Sequence, residues 1–131
     1  MTAELICLAM AVYFEARSEP ILGQAAVAQV VLNRVASDKY PSTICDVVTQ
    51  GGTRRYHCQF TYWCDGKSEE PKDQIAWRRA KVVARLTYDG ALHADIDDAT
   101  HYHALYVKPY WQNALQLTAT IGHHQFYTDP T

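Results

Sequence analysis

Apolar residues recur at helical intervals near the start of the chain, at Leu5, Ile6, Leu8, Ala9, Val12 and Tyr13, which predicts a first helix over 3–17. Thr2 is placed to cap it. Ser18, Glu19 and Pro20 stop that helix and open a second over 21–36, with Ser18 or Glu19 near the cap and Pro20 in the first turn. The second helix carries Leu22, Ala25, Ala26, Val27, Ala28, Val30, Val31, Leu32 and Val35, apolar on nearly every face, and so belongs in the centre of a domain. Gln29 and Asn33 interrupt it four residues apart on one face. Buried amides left unpaired cost about 1 to 3 kcal/mol each, so their plainest role is to satisfy a nearby backbone.

Residues 37–41 make a turn, after which Ser42 or Thr43 caps a short helix through Ile44, Val47 and Val48 that ends at Gln50. The stretch 51–67, GGTRRYHCQFTYWCDGK, alternates aromatic and polar residues between glycines and reads as short strands or a ribbon, a candidate cleft wall. Beyond Pro71, Ile75, Ala76, Ala80, Val83, Ala84 and Thr87 mark one face of a long helix ended by Gly90. Its other face holds Arg78, Arg79, Lys81 and Arg85, most simply a solvated surface. An acidic turn at 95–98 leads into THYHALYV, whose alternation predicts a strand. Residues 109–117 form a short helix or turn with Trp111 inward, and HHQFYT returns as a strand that pairs with THYHALYV.

Size and charge narrow the function. A chain of 131 residues suffices for one core, and we expect a single domain over 1–131. A net charge of -2 makes a phosphate-gripping role a poor first choice, and no apolar run reaches the ~18 to 20 residues of a membrane span. Neither nucleic acid nor membrane is expected as a partner, and the chain is expected to be a monomer. The N-terminus shows no basic segment with a cleavage site, so no export signal of its own is expected. Nine Tyr and three Trp supply faces for stacking on sugar rings, or simply core. Of the four cysteines, Cys7 lies in an apolar helical run and reads as a buried free thiol, while two of Cys45, Cys58 and Cys64 could staple the irregular middle. Zinc held by Cys58, Cys64 and some of the six His is the rival reading, weakened by the lack of a CxxC pair. No cofactor or metal is expected.

Glu15 is the strongest candidate for chemistry. Breaking an acetal between sugars needs a proton delivered to the leaving oxygen, and a carboxylic acid keeps that proton at neutral pH when its surroundings are apolar. Tyr13, Phe14 and Ala16 flank Glu15 at a helix end, next to the most apolar helix of the chain. A salt bridge to Arg17 or Arg34 is the bland alternative. Glu19 would lie ~5 to 6 Å away if the helix continued. The Pro20 boundary argues otherwise, leaving Glu19 to cap the second helix or pair with Arg17 or Arg34.

YFEARSEPILGQAAVAQVVLNRV resembles the signature of the SleB/CwlJ cell wall hydrolase family, and the resemblance continues through KYPSTICDVV, CQFTYWCDGK, HYHALYVKPYW and IGHHQFY. It implies a mainly α (α+β) fold, a compact lysozyme-like domain with a small β-hairpin or ribbon. It also implies cleavage of peptidoglycan glycan strands, as a lytic transglycosylase or muramidase. Glu15 matches the catalytic glutamate of that family, with Glu19 in a supporting role. Gln59 and Thr61 match a polar pair lining the cleft, and Tyr62, Trp63, Tyr102 and His103 would supply stacking surfaces and donors. Asp46 and Asp65 are outside candidates for a second carboxylate. The pattern is closer to proteobacterial and phage members than to the spore-germination ones. Action at the bacterial cell wall or periplasm is implied, and an endolysin released by a holin fits the chain, although an excised domain of a longer enzyme would look identical. Two other classes remain: a noncatalytic glycan-binding module that keeps the aromatic groove, and a metal-dependent amidase using His101, His103 and Cys or His partners.

Overall fold

Helix α1 (Ala3–Ala16) begins where its cap predicts, with the Thr2 hydroxyl accepting from the Leu5 amide at 3.3 Å. The computed structural model describes residues 1–50, 60 and 70–131. Helix α2 (Ile21–Ala36) is buried from Gly23 through Val31, as its unbroken apolar character demands. Its N-cap is Pro20 itself, one position earlier than the first-turn place expected, and no side chain caps it. Short α3 (Ile44–Val48) is capped by Thr43, whose hydroxyl accepts from the Asp46 amide. Helix α4 (Gln74–Tyr88) is capped by Asp73, and its buried face is Ala76, Ala80, Val83, Ala84 and Thr87.

These helices close one core. Leu8, Val12, Val27, Val30, Val31, Val47 and Ala84 are excluded from solvent within it, and α1 and α2 both pack on α4. Tyr13 joins α1 to the start of α4: its ring is edge-on to Trp77, and its hydroxyl accepts from the Lys72 and Asp73 amides at 3.2 and 3.0 Å. Glu4 does the same for α3, accepting from the Ile44 and Cys45 amides at 3.1 and 3.2 Å. Cys7 and Cys45 then join α1 covalently to α3, so Cys7 is not the free thiol that its apolar setting suggested. Cys58 and Cys64, with the predicted ribbon, lie outside the described residues.

Among the described residues, three antiparallel strands pair in the order β1-β3-β2, with β1 at His101–Ala104, β2 at Gln116–Ile121 and β3 at His124–Thr128. The predicted pairing of THYHALYV with HHQFYT is present, Tyr102 opposite Phe126 and Ala104 opposite His124. The third strand, β2, was not expected: residues 109–115 turn, but 116–121 pair with β3 across a bulge at Thr118. Tyr102, Ala119, Ile121 and Phe126 put one face of the sheet against the helical core.

The segment before β1 is sewn onto α2 by the polar stripe. Gln29 donates to the Ala94 carbonyl at 2.9 Å and accepts from its amide, Asn33 donates to the carbonyls of Asp97 and Ala99, and Arg34 Nε donates to that of Thr100 at 2.8 Å. Satisfied in this way, the amides are no longer a cost. They also fix where β1 begins, and so where Tyr102 stands.

Candidate active site

Glu15 sits on the last turn of α1 and projects into a cavity of about 190 Å³, lined among the described residues by Glu15, Arg34, Phe60, His101, Tyr102 and Trp111. The Tyr102 hydroxyl donates to Glu15 Oε1 at 2.8 Å. The helical core thus presents the carboxylate and the sheet presents the hydroxyl that aims it. Tyr102 is itself held by Phe126 and His124, with ring centroids 5.7 and 5.1 Å away.

Arg34 brings a buried cation to the same cavity, and its guanidinium lies over the rings of Tyr40 at 4.7 Å and Phe60 at 5.6 Å. Burial depresses its pKa from the ordinary arginine value, yet a guanidinium stays charged at any working pH. His101 is pushed below its usual 6.5 by burial and by the charge of Arg34, against the pull of Asp129, so its imidazole is neutral at pH 7. Trp111 points inward as expected, edge-on to His101 and Tyr127.

Glu19 is elsewhere. Its side chain is only 4% exposed, and it accepts from the His123 amide at 2.7 Å and bonds the His123 ring through Nδ1 at 2.9 Å. It is an anchor for the β2–β3 turn, not a cap for α2, and its bonded partner is a histidine 104 residues away instead of the expected arginine. Gly122 makes this possible: it adopts φ +58°, and a Cβ there would lie 2.6 Å from Glu19 Oε1. Burial opposes ionisation of Glu19, but the bonds from His123 and the nearby His124 outweigh it and hold its pKa below the ordinary 4.5. A depressed carboxylate contributes stability that is present above its unfolded pKa and lost as pH falls through the folded one. Between about pH 5 and about pH 3 the urea midpoint of the native chain should therefore fall further than that of Glu19→Gln.

His103 does not line the cavity. It is buried on the other side of the sheet, stacked on Tyr127 at 5.2 Å, with Nδ1 bonded to the Ala104 carbonyl and Nε2 to the Tyr127 hydroxyl. Its neighbour His101 takes the place assigned to it. Gln59, Thr61, Tyr62, Trp63 and Asp65 lie outside the described residues, and Asp46 is exposed on α3. Among the described residues, Glu4, Cys7 and Cys45 form the one group of three or more potential metal ligands drawn together, and its cysteines are joined as a disulfide. Arg34 and Trp111 were missed as cavity residues. A charge embedded at the end of an apolar helix was the signal for Arg34.

A family model described as Cell Wall Hydrolase matches residues 18–127. The spore cortex-lytic enzyme of Bacillus cereus is 56% identical over 41 residues, 31% of this chain and 16% of that protein. The spore cortex-lytic enzyme of Halalkalibacterium halodurans is 40% identical over 77 residues, 59% of this chain and 21% of its own length. The chain therefore matches about a fifth or less of these curated relatives. Among solved structures, the catalytic domain of the Bacillus cereus SleB protein superposes with a TM-score of 0.76 at 30% identity, covering 95% of this chain and 89% of that one. The catalytic domain of the germination-specific lytic transglycosylase SleB from Bacillus anthracis gives 0.77 at 29% identity, over 98% and 97%.

Proposed function

The chain belongs to the cell wall hydrolase family, of the SleB/CwlJ type, and from that membership we propose that it cleaves peptidoglycan glycan strands as a lytic transglycosylase, with Glu15 as its single general acid and base. The observation that carries this reading is the cavity at the end of α1, where Tyr102 holds one oxygen of Glu15 at 2.8 Å while Glu19 is committed to the β2–β3 turn. Hydrolysis by two carboxylates would need a partner ~5 to 5.5 Å away for retention or ~6.5 to 9.5 Å for inversion. One acid suffices for transglycosylation.

In the first half of the reaction Glu15 gives its proton to the glycosidic oxygen, and the C1–O bond breaks toward an oxocarbenium-like centre. In the second half, its carboxylate takes the proton of the same sugar's 6-hydroxyl as that oxygen bonds to C1. The acid is regenerated and no water is consumed. Arg34 places a buried cation beside the substrate, and the rings of Phe60, Tyr102 and Trp111 offer apolar walls for the sugar faces. Gln59, Thr61 and Tyr62, which lie outside the described residues, are assigned to substrate binding in this reading by the motif resemblance alone. Action at the bacterial cell wall follows from the substrate, and the Cys7–Cys45 disulfide suits an oxidising compartment such as the periplasm.

Mass spectrometry of digested glycan tests the proposal. Product chains should end in anhydro-muramic residues, one water lighter than reducing ends. Ordinary reducing ends would overturn transglycosylation in favour of a muramidase, and intact glycan with cut peptide bonds would point to an amidase.

A further inference from the structure

We infer that His124, seated against Glu19, is the positioning residue for the Tyr102 hydroxyl that aims Glu15, and that the charge on its ring changes that aim. This inference rests on the catalytic reading of Glu15. Three contacts carry it. Glu19 Oε1 lies 3.7 Å from His124 Nδ1, the His124 ring stands edge-on to Tyr102 with centroids 5.1 Å apart, and the Tyr102 hydroxyl reaches Glu15 at 2.8 Å. The strand register makes Tyr102 and His124 diagonal neighbours on one sheet face, within reach for large rings.

The first contact is the unusual one. A separation of 3.7 Å is too long for a hydrogen bond, and among the described residues His124 Nδ1 is buried without a hydrogen-bond partner. A buried nitrogen left in that state destabilises the fold, and a carboxylate oxygen stands within reach of a small ring movement. The titratable groups around His124 are Glu19 before α2, His123 in the turn, Tyr102 beside it on β1, and His103 on the opposite face of the sheet. Burial lowers the His124 pKa from 6.5, Glu19 opposes this, and His123 and His103 add to it, so the ring is neutral at pH 7. Once protonated, its Nδ1–H bonds Glu19, and the gap closes toward the ~2.8 Å of a charge-assisted bond. The ring moves by roughly 1 Å, and Tyr102 rests on that ring. A shift of that size at a catalytic group can cost about 10²-fold in rate.

A double-mutant cycle with pH profiles tests this. His124→Ala should lower kcat about tenfold with little change in KM, and His124→Phe, which keeps the ring but does not titrate, should restore kcat at pH 7. In a Tyr102→Phe background the His124→Ala loss should vanish. The same loss in both backgrounds would show a general structural role and overturn the inference. The ζ-carbon NMR signal of Tyr102, in protein carrying ¹³C-labelled tyrosine, gives a readout independent of turnover and of whether His124→Ala folds. It should show a step as His124 titrates in the native chain that His124→Phe lacks, distinct from any step due to Glu15, which both proteins keep. A native chain without that step sinks the coupling even where cleavage is normal. A chain that cleaves no glycan but shows the step leaves the coupling standing and removes the catalytic reading instead.

Discussion

Glu15→Gln is expected to lower glycan cleavage by about 10² to 10⁴-fold, the usual contribution of a positioned general acid, while the protein still sediments with cell walls. The substitution is chosen because it changes little else. Glutamine keeps the length and an acceptor oxygen for the Tyr102 hydroxyl, which donates to Glu15 Oε1 at 2.8 Å. It cannot release a proton to the glycosidic oxygen, nor take one from a 6-hydroxyl. The groove residues Arg34, Phe60, Tyr102 and Trp111 remain, so binding to glycan should persist. Turbidity loss of a wall suspension measures the first quantity and pelleting with the walls measures the second. Undiminished lysis would remove Glu15 from the chemistry. A native chain that pellets with walls without clearing them would make the domain a binding module.

Sequence reading reached the helices because each carries its own local instructions. Thr2, Thr43 and the apolar spacing of α1, α2 and α4 act within a few residues, and helix geometry turns that spacing into a buried face. The polar stripe on α2 was legible in kind, since a buried amide demands a partner, but not in detail: its partners lie 65 and 66 residues away. Strand β2 was hidden for a different reason. Its residues are exposed or only half-buried, with Leu117 on the surface, so little alternation marks it. The roles of Glu19 and Cys7 depended on contacts that no local rule supplies. A carboxylate beside Pro20 reads equally as a cap or as a catalytic partner until the β2–β3 turn is brought against it. At the site, Glu15 was singled out by its apolar setting at a helix end and by motif resemblance, and Tyr102 by the resemblance. Arg34 and Trp111 were not read as cavity residues, because a cavity wall is a property of where distant elements meet.

Removing the Cys7–Cys45 bond is expected to cost about 4 kcal/mol, the loop-closure entropy of a cross-link spanning 38 residues. That is a large fraction of the roughly 5 to 15 kcal/mol that holds a domain together. The loss should arise mainly in the unfolded chain. In the native state α3 is still tied to α1 through Glu4, which accepts from the Ile44 and Cys45 amides, and Ile44, Val47 and Val48 remain in the core. A Cys7→Ser, Cys45→Ser double variant should therefore unfold at a lower urea concentration and with a steeper slope, because its unfolded state is freer to expand. Native cleavage should survive at low temperature, since Glu15 sits at the opposite end of α1 and is aimed from β1. Treating the native protein with reductant should lower its midpoint to that of the double variant. An unchanged midpoint in the variant would mean that the amide contacts of Glu4 alone hold α3, with the covalent link adding nothing to the fold.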